Sequence, residues 1–175
     1  MNTFAKEILS KAAQVRVAFL DVDGVLTDGG LFIDSAGETI KRFHTLDGHG
    51  LKLLQQAGIT PVVISGRDSP ALRARLAALG ILRGYFGIEN KQPMAQTVLD
   101  EMGYSWQQAA GMGDDWPDLP VLLRCGFSCA PPNAHVEVLS RVDYVTQWAG
   151  GAGATREFCD CCCTLPGAMS SFSIR

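Results

Sequence analysis

The sequence predicts an α/β fold, a parallel sheet held between two layers of helices, and three observations carry that prediction. Strand-length apolar runs alternate with helix-length periodic segments along almost the whole chain, the pattern of units whose strands lie parallel and whose helices cover both faces. The helical segments stop at Gly58, Gly80 and Gly103, where a helix C-terminus favours a positive φ. Polar clusters follow directly after the strand-like runs, and in such sheets ligands bind beyond the carboxyl ends of the strands.

Taken in order, the chain opens with Phe4, Ile8 and Ala12 at helical spacing among Lys and Glu, a short amphipathic helix without the apolar core of a signal peptide. VRVAFLDVD (15–23) reads as a strand buried on both faces. GGLFIDSAGETIKRF (29–43) breaks the alternation, because LFID and ETIKRF flank a turn-forming Ser-Ala-Gly and so predict a β-hairpin insertion. Leu51 and Leu54 belong to a helix that ends before Gly58, and TPVVISG (60–66) is the next strand. Leu72, Leu76 and Leu79 mark a second helix, with Pro70 suited to its first turn. Met94, Val98 and Met102 repeat at i, i+4 in a third. AAGMGDD (109–115), FSCA (127–130) and VDYVT (142–146) complete the strands. No insertion after the first strand or after Ser65 is long enough to form a lid, and there is no repeat or linker. One domain over 1–175 is expected, with a mobile tail at about 164–175.

The 175 residues carry a formal charge of −3. That offers no basic field for nucleic acid or an anionic membrane, so an anionic ligand must be caught by a local site. The apolar runs fall far short of the roughly 20 residues that span a membrane, and a cytoplasmic protein is expected. Four of the six cysteines crowd into CDCCC at 159–163. One short helix cannot wrap four sulfurs around zinc, so these read as free thiols on a C-terminal helix, sensitive to oxidation. His44, His49 and His135 show no ligand spacing. Asp28 and Asp34 read as turn residues and Asp47 as the N-cap of the helix it precedes.

The chemistry gathers at strand ends. Asp21 and Asp23 end the first strand one residue apart, and like charges that close repel by roughly 4 kcal/mol at 4 Å in a partly buried site. Asp114 and Asp115 end a later strand. Four carboxylates on one rim are tolerable around a hard divalent cation, for which Mg2+ with its oxygen ligands is suited. One carboxylate can then attack a phosphoryl group while its neighbour handles the proton. Ser65 supplies a hydroxyl and Gly66 a backbone amide, a turn able to cradle phosphate. Lys91 stands at a helix start, where a cation is disfavoured unless an anion waits nearby.

DVDGVLTDG (21–29), Ser65, Lys91 and the GDD at 113–115 resemble, in order and spacing, the four motifs of the haloacid dehalogenase-like phosphatases that lack a cap. The hairpin, FHTLDGHGLKLL, SGRDSPALRARLAALGI, GDDWPDLPVL, VDYVT and GGAGATRE resemble further the subfamily acting on 3-deoxy-D-manno-octulosonate 8-phosphate, over roughly 15–160. The resemblance implies a Rossmann-like three-layer sandwich with no cap domain. It implies Asp21 as nucleophile and magnesium ligand, Asp23 as acid/base and ligand through its carbonyl, Asp114 as third ligand and Asp115 as the residue orienting that shell. Ser65 and Gly66 would hold the phosphoryl group and Lys91 would neutralise it, with Arg67 and Arg75 as candidates for the substrate's phosphate or carboxylate. Leu46 departs from the basic residue common there. A homotetramer is implied, each hairpin or GGAGATRE segment covering an adjacent site, with a phosphorylated acidic sugar as substrate in lipopolysaccharide precursor synthesis. The alternatives are a nine-carbon keto-sugar phosphate as substrate, a phospho-receiver and a non-catalytic assembly module. A receiver places a lone phosphoacceptor Asp on a later strand, unlike the pair here.

Overall fold

The computed structural model describes residues 4–35 and 37–163. In chain order its elements are α1 (Lys6–Ala12), β1 (Val17–Leu20), the hairpin strands β2 (Phe32–Asp34) and β3 (Gly37–Ile40), α2 (Thr45–Gln56), β4 (Thr60–Ser65), α3 (Pro70–Leu79), β5 (Arg83–Phe86), α4 (Lys91–Met102), β6 (Ala109–Met112), α5 (Leu119–Leu122), β7 (Phe127–Ala130), α6 (Val136–Leu139), β8 (Tyr144–Val145) and α7 (Ala154–Cys163). Six strands form one parallel sheet in the order β5-β4-β1-β6-β7-β8, and β2 pairs with β3 as a separate antiparallel hairpin.

The two-residue period of the central strands sorts their side chains into two cores. Val17, Phe19, Val62 and Ile64 meet Ala95, Val98 and Leu99 of α4 on one face. Ala18, Leu20 and Val63 meet Leu51 and Leu54 of α2, Leu72 and Leu76 of α3 and Phe158 of α7 on the other. Both faces are therefore dry, which explains why β1 reads as an unbroken apolar run. Emptying a site such as Leu54, fully buried, by substitution with Ala costs about 2–5 kcal/mol.

The expected proline and glycine signals act at three helix ends. Ser69 caps α3 by accepting from the Leu72 N–H at 3.2 Å, ahead of Pro70. Gly80 closes that helix at φ 68 and Gly103 closes α4 at φ 70. β5 has no counterpart in the sequence reading. It is a half-buried edge strand, RGYF, whose arginine and glycine leave no apolar run to detect.

The hairpin forms as expected but stands out from the body, with Phe32, Ile33 and Ile40 exposed by 51, 68 and 60%. The six cysteines are free. Their expected sensitivity to oxidation needs correcting, because Cys159, Cys161 and Cys162 point into the core, and burial holds the Cys159 and Cys162 thiols well above their ordinary pKa, so little thiolate forms. Among the described residues no helix is long and apolar enough to cross a membrane. The tail at 164–175 lies outside the described residues.

Candidate active site

The site grows from the middle of the sheet. Asp21 extends β1 by one residue, its N–H donating to the Met112 carbonyl at 3.0 Å, so its carboxylate leaves the sheet edge between β4 and β6. The chain then folds back tightly, the Val25 and Thr27 N–H groups both donating to the Val22 carbonyl. Gly24 takes φ 98, and a Cβ there would lie 2.0 Å from the Asp114 carboxylate, so only glycine fits between the two acidic loops.

Asp21 and Asp23 separate their charges by choosing different cations. Asp21 accepts a hydrogen bond from Lys91 Nζ. Asp23 pairs with Lys41 Nζ at 2.5 Å and faces Arg67 Nε at 3.9 Å. Lys91, at the first position of α4, is buried and also donates to Asp118 Oδ1 at 2.7 Å. Burial works against its charge, but Asp118 and Asp21 outweigh it and the ammonium pKa rises. That contact overcomes the helix-start penalty of about 0.3–1 kcal/mol.

Asp118 organises the opposite wall. It ends the 3₁₀ turn Trp116–Asp118, and its Oδ2 accepts the Asp114 and Asp115 N–H groups at 3.0 and 3.2 Å. Carboxylate oxygens of Asp21, Asp114 and Asp118 lie within 4.8 Å of one another. Three acids thus crowd together, and Lys91 bonds two of them, Asp21 and Asp118. Burial first, then the Asp118 charge, raise Asp21 to about 6 despite Lys91. Burial, with Asp21, Asp118 and Asp115, raises Asp114 to about 8. Such uncompensated hard oxygens suit a magnesium-type cation, and neither Cys nor His belongs to the group.

A cavity of about 540 Å³ opens over these acids, and Asp23, Ser65, Gly66, Arg67, Glu89, Asp115 and Pro117 line it with them. Ser65 is buried at the end of β4 and its Oγ accepts the Arg67 N–H at 3.1 Å. Gly66 has open space where a side chain would be. Asp115 is exposed and caps the 3₁₀ turn by accepting the Trp116 N–H at 2.8 Å, while Asp118 is the acid that bonds the Asp114 N–H. Arg75 is elsewhere. It lines a small separate cavity with Asp47 and Leu51, donates to the His44 carbonyl at 3.3 Å and sits 5.8 Å from the Phe43 ring. Asp47 does not cap its own helix: it is buried, and its Oδ1 accepts the Arg156 N–H at 2.8 Å, capping α7 instead.

The comparisons with known proteins agree with this geometry. The chain is 43% identical over 162 residues to the 3-deoxy-D-manno-octulosonate 8-phosphate phosphatase KdsC of Haemophilus influenzae, covering 93% of this chain and 90% of that one. It belongs to the 3-deoxy-D-manno-octulosonate 8-phosphate phosphatase family. No family model matches the chain. Among solved structures, the Moraxella catarrhalis octulosonate phosphatase in complex with a magnesium ion, a phosphate ion and a KDO molecule superposes with a TM-score of 0.92 at 33% identity, covering 97% of both chains. The cobalt-bound Haemophilus influenzae octulosonate phosphatase superposes with a TM-score of 0.88 at 42% identity, covering 93% of this chain and 95% of that one.

In this member of the octulosonate phosphatase family, sequence reasoning missed Asp118, Lys41 and Glu89 as site residues. Asp118 left one signal, an acid between a proline and a short helix in GDDWPDLP, where a carboxylate readily takes turn N–H groups. Lys41 left none, since the hairpin strand's alternation does not reveal that its ammonium folds inward onto Asp23.

Proposed function

We propose that the protein is a magnesium-dependent phosphatase that hydrolyses 3-deoxy-D-manno-octulosonate 8-phosphate to the free sugar and inorganic phosphate, in the cytoplasm, for lipopolysaccharide precursor synthesis. The observation that carries the chemistry is the joining of Asp21, Lys91, Asp114 and Asp118 under a cavity that Asp23 enters from its own pair of cations. The sugar rests on the kinship with the octulosonate phosphatases.

In the first half-reaction an Asp21 carboxylate oxygen attacks phosphorus. The ester P–O bond breaks, its electron pair leaves on the sugar oxygen, and that oxygen takes a proton from Asp23. Ser65 Oγ–H and the backbone N–H groups near Gly66 hold the equatorial oxygens, while Lys91 balances their charge and keeps Asp21 aimed. In the second half, water gives a proton to Asp23 and attacks phosphorus, the bond to Asp21 breaks and phosphate departs. Asp21, Asp114 and the Asp23 carbonyl would hold the magnesium ion, with Asp118 fixing Asp114 through its backbone; when bound, the ion offsets the carboxylates and the phosphoryl charge. Arg67 faces the cavity and is suited to an anionic substrate group.

Among the described residues no lid covers the cavity, so selectivity needs a wall from elsewhere. The exposed apolar hairpin supports a homotetramer in which an adjacent subunit completes each site, since Phe32, Ile33 and Ile40 form a surface that a monomer would leave wet.

Phosphate release with magnesium from the octulosonate 8-phosphate, a nine-carbon keto-sugar 9-phosphate and a small aryl phosphate tests the reading. Preference for the first is expected. No turnover of any ester would overturn the reaction, and preference for the second would overturn the substrate. Replacing residues 31–40 by a short glycine linker, which keeps Lys41 for its pair with Asp23, should dissociate the tetramer and erase sugar selectivity more than aryl phosphate cleavage. A native protein that sediments as a monomer would sink the shared-site account.

A further inference from the structure

The loop that carries Asp23 is gripped from outside by residues that no step above uses. Gly24 follows Asp23 directly and adopts φ 98; glycine is the most permissive backbone unit, so an unrestrained Gly24 would let the Asp23 carboxyl wander. Its carbonyl oxygen accepts a hydrogen bond from Asn133 Nδ2 at 3.0 Å. The other end of the same amide, Asn133 Oδ1, accepts the Gly150 N–H at 2.7 Å. Gly150 itself lies so close that a Cβ there would stand 1.8 Å from the Gly24 oxygen. The next residues continue the grip, the Gly151 N–H donating to the Val25 carbonyl at 3.0 Å and Thr155 Oγ1 to the same oxygen at 3.4 Å. Asn133 follows β7, two places from β1 in the sheet. Its two-ended bond therefore ties the loop to the segment after β7 and to Gly150, both distant from it in sequence.

We propose that Asn133 is a positioning residue that, through the Gly24 carbonyl, holds the Asp23 carboxyl where the leaving group departs. The inference rests on the phosphatase reading above and adds a residue to it. Asn133 acts only through Asp23, so its contribution follows what Asp23 does in the first half-reaction. There the ester oxygen leaves with the electron pair of the broken P–O bond and takes the Asp23 proton. A sugar alkoxide is a strong base and cannot leave well without that proton, whereas 4-nitrophenolate is stable without it. Misplacing Asp23 should therefore harm alkyl esters and spare the aryl ester.

The experiment compares kcat/KM for the octulosonate 8-phosphate and for 4-nitrophenyl phosphate, with magnesium, in the wild type, Asn133→Ala, Gly150→Ala and Asp23→Asn. This ratio reports steps up to formation of the phosphoenzyme and leaves its hydrolysis out. Asn133→Ala should lose about tenfold or more on the sugar ester and less than about threefold on the aryl ester, part of the roughly 10²–10⁴-fold that a general acid supplies. Asp23→Asn should show the same bias, larger. Gly150→Ala, whose methyl would push on the same carbonyl, should share the bias provided its melting curve remains cooperative. Equal losses on both esters in Asn133→Ala, or wild-type values on both, overturn the positioning role while leaving the phosphatase reading intact. A wild type that turns over neither ester overturns that reading and this inference together.

Discussion

Two buried acidic places in this molecule have opposite characters. Glu157 on α7 is 2% exposed, yet its Oε1 accepts the Tyr144 hydroxyl at 2.5 Å and its Oε2 accepts the Gln147 and Trp148 N–H groups at 3.0 and 3.4 Å. Its charge is answered by donors built into the fold, and it serves to tie the 144–148 loop to the last helix. The rim is the reverse. Asp21, Asp114 and Asp118 crowd together, Lys91 bonds Asp21 and Asp118, and Asp21 and Asp114 are pushed toward the protonated form, to about 6 and about 8. A carboxylate with enough donors is a structural fixture, while a set of them short of positive charge is a place made for something to arrive.

The contrast breaks most sharply at Asp21, the nucleophile proposed above. Asp21→Asn should lower turnover by at least about 10³-fold, because an amide removes the covalent route, yet the melting temperature should hold or rise, because one of the repelling charges is gone. Phosphate release and calorimetry on the same preparation check both halves; residual turnover within tenfold of the wild type would overturn the assignment.

A smaller effect comes from the cation itself. Asp21 and Asp114 ionise in the unfolded chain near the ordinary 3.8 but in the fold only near 6 and 8. Between about pH 4 and 8 the metal-free folded state thus binds more protons than the unfolded one, so its stability falls as pH rises through that window. Magnesium should restore stability, more at pH 8 than at pH 5 where protons already hold the acids. Saturation to a hundred times Kd contributes about 2.7 kcal/mol, at roughly 2–4 °C per kcal/mol for a chain of this size. Melting with and without magnesium or a chelator at both pH values decides it, and an equal shift at both would contradict the cluster. Chelation should also stop turnover.

The smallest catalytic effect belongs to the satisfied acid. Glu157→Gln can turn its carbonyl to the Gln147 and Trp148 N–H groups and its NH2 to the Tyr144 hydroxyl but gives up the charge that strengthens these bonds, and should cost about 1–2 kcal/mol, seen as a lower melting temperature, while kcat/KM stays within about threefold. A loss of activity larger than the loss of stability would mean that Glu157 reaches the rim by a route other than packing.

How much of this was legible in the sequence follows from the range of the interactions. β1, β4, β6 and β7 declare themselves because both of their faces are dry, and Asp21, Ser65, Lys91 and Asp114, which line one cavity, could be singled out because each stands at the end or start of an element. β5 escapes because an edge strand needs no apolar run. Asp47 reads locally as a cap for α2 but spends its oxygen on Arg156, 109 residues away. Arg75 borders the apolar arc of its helix, a position that does not tell which neighbour it will meet. Asn133 and Lys41 matter through single long-range bonds that leave no local pattern.

The hydrogen bond from the Asp21 N–H to Met112 has a thermal consequence. The Asp21 carboxylate hangs from a peptide that is itself part of the ladder between the two innermost strands, so it is held apart from the local breathing that loosens chain ends and surface arms. Heat therefore has no gentle way to disarm this protein. The hairpin can fray while Asp21 keeps its place, and loss of that place coincides with cooperative collapse of the sheet.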